Sequence, residues 1–178
     1  MLIEDYKFTD EEQKILSKQM VVLVDTREKR NEHIIEYLDR SKIRYKKQTL
    51  SSGDYSFYIE ASDALNIPRD IYFDHTIFVE RKANLDELAQ NFTKNRTRFE
   101  EEFSISPAKH KYLLIENAKY EDIIEHNYES DFLPKSYLGS LHTFNHRYNL
   151  QIVFMPDKDY SAIYILGIFK YYLKNLVK

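Results

Sequence analysis

Residues 76–82, Thr76-Ile77-Phe78-Val79-Glu80-Arg81-Lys82, decide the fold of this chain, because a short apolar, β-branched run flows without a break into three charged residues. Such a run reads as a buried strand. Side chains alternate along a strand, so Glu80 and Lys82 project on one side of it and Arg81 on the other. Working outward, Met20 to Val24 reads as another buried strand with Asp25 at its end. Tyr45, Lys47 and Thr49 alternate in an exposed one that leads to Gly53-Asp54, where the glycine suits a tight turn or bulge placing Asp54 at a sheet edge. Tyr112 to Glu116 and Gln151 to Met155 supply further strands. Helices fall between them. Thr9 and Glu12 form a capping box for a helix through about Lys18, and Asn31 caps one with Ile34, Ile35 and Leu38 inward. Asn84 and Glu87 open a helix beside Lys82, along which Leu85, Leu88, Ala89, Phe92, Phe99 and Phe103 mark the core face and Asn91, Lys94 and Arg98 a polar stripe. Two more are expected around Glu121 to Asn127 and Ser136 to Arg147, and a last one from Asp159 or Ser161 to Lys178. Strands and helices mixed in this order give an α/β fold.

The charged end of the first strand carries chemistry. A carboxylate and an ammonium two residues apart on one face can share a metal-bound water. Magnesium prefers oxygen ligands and keeps several waters, so one or two carboxylates and a substrate phosphate hold it. Asp54 and Glu80 fit that need, with Asp25, at the end of its own buried strand, as a further ligand. A metal held this way activates water and screens a phosphate, and Lys82 can orient the attacking water, so phosphodiester hydrolysis is the expected reaction. Each residue alone has a plainer role. Asp54 is a natural turn residue, Glu80 and Lys82 could be an exposed strand pair, and Asp86 in a first helical turn is favoured by the helix dipole. The combination raises the metal reading above them.

The order Val24-Asp25-Thr26-Arg27-Glu28, Gly53-Asp54-Tyr55, then Glu80-Arg81-Lys82 with Asp86 resembles the nuclease domain of the XPF/Hef family of structure-selective DNA endonucleases, whose signature is GD, a gap, ERK, three residues and D. The likeness continues through Arg98 in Arg96-Thr97-Arg98-Phe99-Glu100, the strand Tyr112 to Glu116 and the final helix, over roughly residues 20 to 175. It implies a restriction-endonuclease-like core with a central mixed sheet flanked by helices, a divalent metal (Mg²⁺ or Mn²⁺), a dimer, and incision of branched or flapped DNA near a junction in repair, recombination or replication. On this reading Asp54, Glu80, Arg81, Lys82 and Asp86 are catalytic, and Asp25, Asp54 and Glu80 bind metal. Asp86 owes its label to the family motif. Arg81, pointing away from Glu80, is expected to pair with Asp25, Asp86 or Glu28. Two departures stand out: the longer gap from Asp54 to Glu80, whose extra residues from about Glu60 to Asp74 look like an extended hairpin or loop carrying Pro68 and offer Asp70 and Asp74 as competing ligands, and a chain that stops too soon for an appended helix-hairpin-helix module.

Composition sets bounds. With 178 residues and 21.5 kDa, one domain is expected, residues 20–178, behind a helical extension at 1–19. The absence of cysteine excludes disulfides and thiolate metal sites. No apolar leader opens the chain and no stretch is suited to span a membrane, so an intracellular setting is expected, cytoplasmic in a prokaryotic or viral host and nuclear in a eukaryote. The net charge of -3 weighs against nucleic-acid binding, yet local patches can hold phosphates, and Arg27, Lys94, Arg96 and Arg98 are the candidates. The last helix is apolar on more than one face, which suggests burial in a homodimer interface, the alternative being a central core helix in a monomer. Disorder is expected at the ends and across Glu60 to Asp74, and the pair His142 and His146 lacks a third ligand for zinc. Two rival readings remain: a noncatalytic DNA-binding or partner-recruiting relative, and a nuclease acting on unbranched duplex DNA.

Overall fold

The computed structural model describes residue 3 and residues 6–177. Met1, Leu2, Glu4, Asp5 and Lys178, and with them part of the expected extension and the end of the last helix, lie outside these. Seven strands, β1 (Met20–Val24), β2 (Tyr45–Lys47), β3 (Tyr55–Ile59), β4 (Ile71–Tyr72), β5 (Ile77–Lys82), β6 (His110–Glu116) and β7 (Leu150–Met155), form one mixed sheet. Its order is β2-β1-β3-β5-β6-β7, with β4 paired to β3. Only β3 runs against its neighbours β1 and β5, whereas the β1–β2, β5–β6 and β6–β7 pairs are parallel. Strands β1, β5, β6 and β7 therefore all end at one edge, and β3 begins there.

Seven helices cover the sheet: α1 (Asp10–Lys18), α2 (Glu32–Arg40), α3 (Leu85–Phe92), α4 (Arg96–Ile105), α5 (Tyr120–Ile124), α6 (Pro134–Tyr148) and α7 (Ser161–Leu176). Strand alternation sorts the core into two layers. Ile77, Val79 and Leu114 pack with Phe57 against Leu16 of α1, Ile34 and Leu38 of α2, and Ile165, Phe169 and Leu173 of α7. Phe78, Leu113 and Ile115 pack on the other face with Leu88, Phe92, Phe99, Phe103, Tyr137 and Phe144 from α3, α4 and α6. The sequence limits of β1, β5 and α1 are those expected, and the Thr9–Glu12 capping box is present.

Several elements differ from expectation: β3 is a strand not expected from the sequence, and the Asn31 side chain does not cap α2 but donates to the Tyr55 hydroxyl at 3.0 Å. The helix after Lys82 is two helices, because Thr93 leaves helical geometry (φ -116°, ψ -90°) and its hydroxyl donates back to the Ala89 carbonyl at 2.7 Å. Asn91, Lys94 and Arg98 thus do not share one helical stripe. The exposed strand ends at Lys47, short of Thr49, whose hydroxyl instead meets that of Thr26 at 2.9 Å. Residues 60–74 are structured: Leu65, Ile67 and Phe73 are buried, Ser62 bridges Ile67, and β4 pairs with β3. The segment is a hairpin arm whose apolar residues complete the α7 layer, which supplies the burial that ordering a loop requires.

Candidate active site at the C-terminal edge of the sheet

Glu80, Arg81 and Lys82 are the last residues of β5 and all three are buried. Alternation places Glu80 and Lys82 with Phe78 on the α3–α4 face and Arg81 on the other. The Lys82 ammonium donates to Glu80 Oε1 at 2.7 Å and lies 4.9 Å from the centre of the Phe99 ring. Burial alone would lower its pKa, but the Glu80 and Asp54 carboxylates outweigh that and hold it above the ordinary lysine value. Lys82 is a cation here. It can donate hydrogen bonds and orient a water, and it is not a base.

Asp54 enters from the start of β3. Its N–H donates to the Val79 carbonyl at 2.9 Å, its carbonyl accepts from the Asp25 N–H at 2.8 Å, and its carboxylate accepts from the Arg81 N–H at 2.7 Å. The preceding Gly53 makes this fit possible: it has φ +70°, and a Cβ there would overlap the Phe78 ring. Burial, then the neighbouring Glu80 and Glu28 carboxylates, push the Asp54 pKa well above the usual carboxylate range, against Lys82 and the Arg81 N–H. Glu28 is likewise raised, by burial first and by Glu80 among others, despite its pairing with Arg81.

Arg81 fastens the loop after β1 to the end of β6. Its guanidinium donates to Glu28 and, at 2.6 Å, to Glu116, and it reaches the Lys29 carbonyl at 3.2 Å. The other Glu116 oxygen lies 2.8 Å from His33. Of the partners expected for Arg81, Glu28 is the one it meets. Both of its carboxylate partners are buried or nearly so, so the network is costly to break from one side.

Two of the sequence candidates have their carboxylates engaged by other partners. Asp25 has one oxygen accepting from Arg27 Nε at 2.8 Å and from the Arg27 N–H at 2.7 Å. Its other accepts from Arg27 and from the Leu50 N–H at 2.7 Å, which ties the loop after β1 to the one after β2. Despite burial, these donors hold its pKa below the ordinary value. Asp86 accepts from the N–H groups of Glu129 and Ser130 at 2.9 and 2.7 Å, anchoring the loop before α6. Asp70 and Asp74 belong to the hairpin arm before β5, away from its charged end, and Asp70 accepts from the Ala61 N–H at 3.0 Å.

Among the basic candidates, Arg96 is committed to the fold: it pairs with Glu100 at 3.0 Å, donates to Ser140 at 3.1 Å and lies over the Phe144 ring. Arg27 is exposed but bound to Asp25, whereas Lys94 and Arg98 are exposed, Arg98 standing 4.0 Å from Glu102. His142 hydrogen bonds with Tyr120 at 3.0 Å.

Sequence reasoning passed over Glu102 and Glu116. The carboxyl of Glu102 is pushed up to about 7 by burial and by Glu80, against Lys82, Arg98 and Arg27, so it shares the electrostatic field of the site. Its i,i+4 relation to Arg98 was the available signal. Glu116 ends the strand beside β5, the same signal that drew attention to Asp25.

Among the described residues no three His, Cys, Asp or Glu side chains are grouped closely enough to hold a metal ion. The donor set nevertheless suits a hard cation. Asp54, Glu80, Glu28 and Glu116 gather around two buried cations, Lys82 and Arg81, and the Asp54 pKa is raised by burial first and then by the Glu80 and Glu28 carboxylates.

A model of the ERCC4 domain matches residues 24–168. Among solved structures the chain is similar to XPF from Aeropyrum pernix, at 19% identity over 85% of this chain and 61% of that one, with a TM-score of 0.58. It is also similar to XPF from Aeropyrum pernix in complex with DNA, at 16% identity over 87% of this chain and 66% of that one, with a TM-score of 0.61. No curated protein matches. The chain spans less than two thirds of the length of these two structures, and at such identities the likeness establishes the fold. The protein has the α/β fold of these XPF structures. It belongs to the ERCC4 domain family.

Proposed function

We propose that this domain is a Mg²⁺- or Mn²⁺-dependent DNA endonuclease that cuts branched, flapped or junction-containing DNA, acting in repair, recombination or replication, as a homodimer. The observation that carries the reading is the pairing of Asp54 and Glu80 at one sheet edge, with a buried, protonated Lys82 between them in the electrostatic field and too few cations to balance the carboxylates. Asp54 and Glu80 would hold the metal, with Glu28 the next carboxylate in their field. A divalent ion bound there supplies charge stabilisation to a phosphoryl oxygen and lowers the pKa of a water. Lys82 orients a nucleophilic water or a non-bridging phosphate oxygen by hydrogen bonding. Arg81 holds the Glu28 loop in register with β5, and Asp86 holds the loop before α6. Lys94 and Arg98 would meet the DNA backbone, a role their exposure supports.

Cleavage of labelled flap, fork, Holliday-junction and plain duplex DNA with Mg²⁺ or Mn²⁺ tests this. Asp54→Asn and Glu80→Gln should each lower the rate by roughly 10³-fold, the consequence of losing several kcal/mol of transition-state charge stabilisation. Equal cutting of plain duplex would replace the branched substrate with an unbranched one. Tight binding without cutting would replace the enzyme with a noncatalytic DNA-binding protein.

A further inference from the structure

The opposite edge of the sheet carries a second concentration of positive charge that the proposed reaction does not use. A cleft of about 750 Å³ lies between the end of α4, the start of β6 and the end of α6, lined by Phe103, Ser104, Lys109, Lys111, Arg147 and Asn149 among others. His110 also lines it, and no carboxylate does, in a chain whose Asp and Glu outnumber its Lys and Arg by 29 to 26. At its rim Glu100 contacts Arg147 at 3.5 Å. The backbone that presents the cations is fixed, since the N–H groups of Lys109 and His110 donate to the Thr76 carbonyl at 3.2 and 3.1 Å. Lys111 turns its ammonium to the Phe103 carbonyl at 2.6 Å, which leaves two of its three donors for a ligand. Lys109 and Arg147 are exposed.

We infer that this cleft is a second DNA-backbone site, in which Lys109, Lys111 and Arg147 take phosphates of the substrate outside the stretch being cut. The inference rests on the nuclease reading above and specifies how a branched substrate is held. Strand β6 runs from His110 at the cleft to Glu116 at the catalytic edge, and at ~3.3 Å per residue the two edges are roughly 20 Å apart. That separation is about the width of a duplex, so a linear helix lying across the catalytic edge, perpendicular to β6, does not extend into the cleft, whereas a second arm leaving a junction along β6 does. A cation cluster without base-reading geometry positions DNA without reading its sequence.

The test compares wild type with Lys109→Glu/Arg147→Glu, and with the milder Lys109→Gln/Arg147→Gln in case charge reversal disturbs folding. Affinity for a forked DNA and for a short duplex is measured by fluorescence anisotropy across a salt series in Ca²⁺, and cleavage is measured separately at saturating DNA. Both variants should bind the fork about tenfold more weakly, with a salt slope reduced by about two for the two lost phosphate contacts, and should bind the short duplex as wild type does. Cleavage at saturation should be unchanged. Wild-type affinity and slope in both variants would overturn the cleft and leave the nuclease reading standing. Variant-sensitive fork binding by a protein that cuts no DNA with any metal would sink the nuclease reading alone. Equal weakening on fork and duplex would overturn the second-arm assignment, and a cleft that takes inorganic phosphate, by shifts of the His110 ring resonances, while fork binding is indifferent to the substitutions would replace DNA with a small anion.

Discussion

Glu102 shows how a single side chain can register the whole site. Its pKa near 7 means that the folded protein holds the proton more tightly than the unfolded chain does. The stability this contributes is fully present below the ordinary glutamate value of about 4.5 and is lost as pH rises through about 7. Glu102→Gln should therefore raise the melting temperature at pH 8 in a chelator and change it little at pH 4.5; an equal effect at both would disprove the assignment. Residue types at this scale were readable in the chain: Asp54, Glu80 and Lys82 are adjacent in the fold as their order suggests. Which carboxylate stands with them was not readable. Asp25 and Glu28 are equally placed in the sequence, and only the bonding of Arg27 and Leu50 to one and of Arg81 to the other separates them.

The strand entering the site at Gly53 belongs to the scale of the element. Its left-handed backbone and its contact with Phe78 leave no room for a side chain. Gly53→Ala should cost roughly 2–4 kcal/mol in urea unfolding, the sum of a left-handed alanine and an overpacked core, and a loss within a few tenths would show that the turn can rearrange. Elements with strong signals were legible, β1 and β5 from apolar runs and α1 from its capping box. Others depended on tertiary contacts. The break between α3 and α4 rests on one threonine conformation that helical periodicity spans without notice, and the order of residues 60–74 rests on Leu65, Ile67 and Phe73 finding the α7 layer. Apolar residues without a helical or strand period read as a loop when their burial comes from a distant helix.

At the scale of the whole molecule, α7 has one side buried by Ala162, Ile165, Phe169 and Leu173, while Ile168 remains partly buried and Tyr171 is 61% exposed. Tyr112, Val153 and Met155 of β6 and β7 are also only partly buried, and a hollow of about 690 Å³ lies between the start of β6 and the second half of α7, lined by Tyr112, Ile168 and Tyr171 among others. No helix among the described residues is long and apolar enough to cross a membrane. Under the homodimer proposed above, a second copy of the chain would cover this surface, since an apolar helix face of this kind is stabilised by burial. Sedimentation equilibrium should find a dimer that Ile168→Glu converts to a folded monomer; a wild-type monomer throughout the concentration range would refute the interface.

Because β3 runs opposite to β5, the two segments bearing Asp54 and Glu80 meet at one end of a hairpin whose connection lies at the other. Residues added to the arm outside its core-packed Leu65, Ile67 and Phe73 carry only a slow, logarithmic entropic penalty, and the ends that carry the carboxylates stay where the ladder fixes them. Distance along the chain between these two motifs can therefore grow, and a relative with a longer arm can present the same pair of acids in the same register.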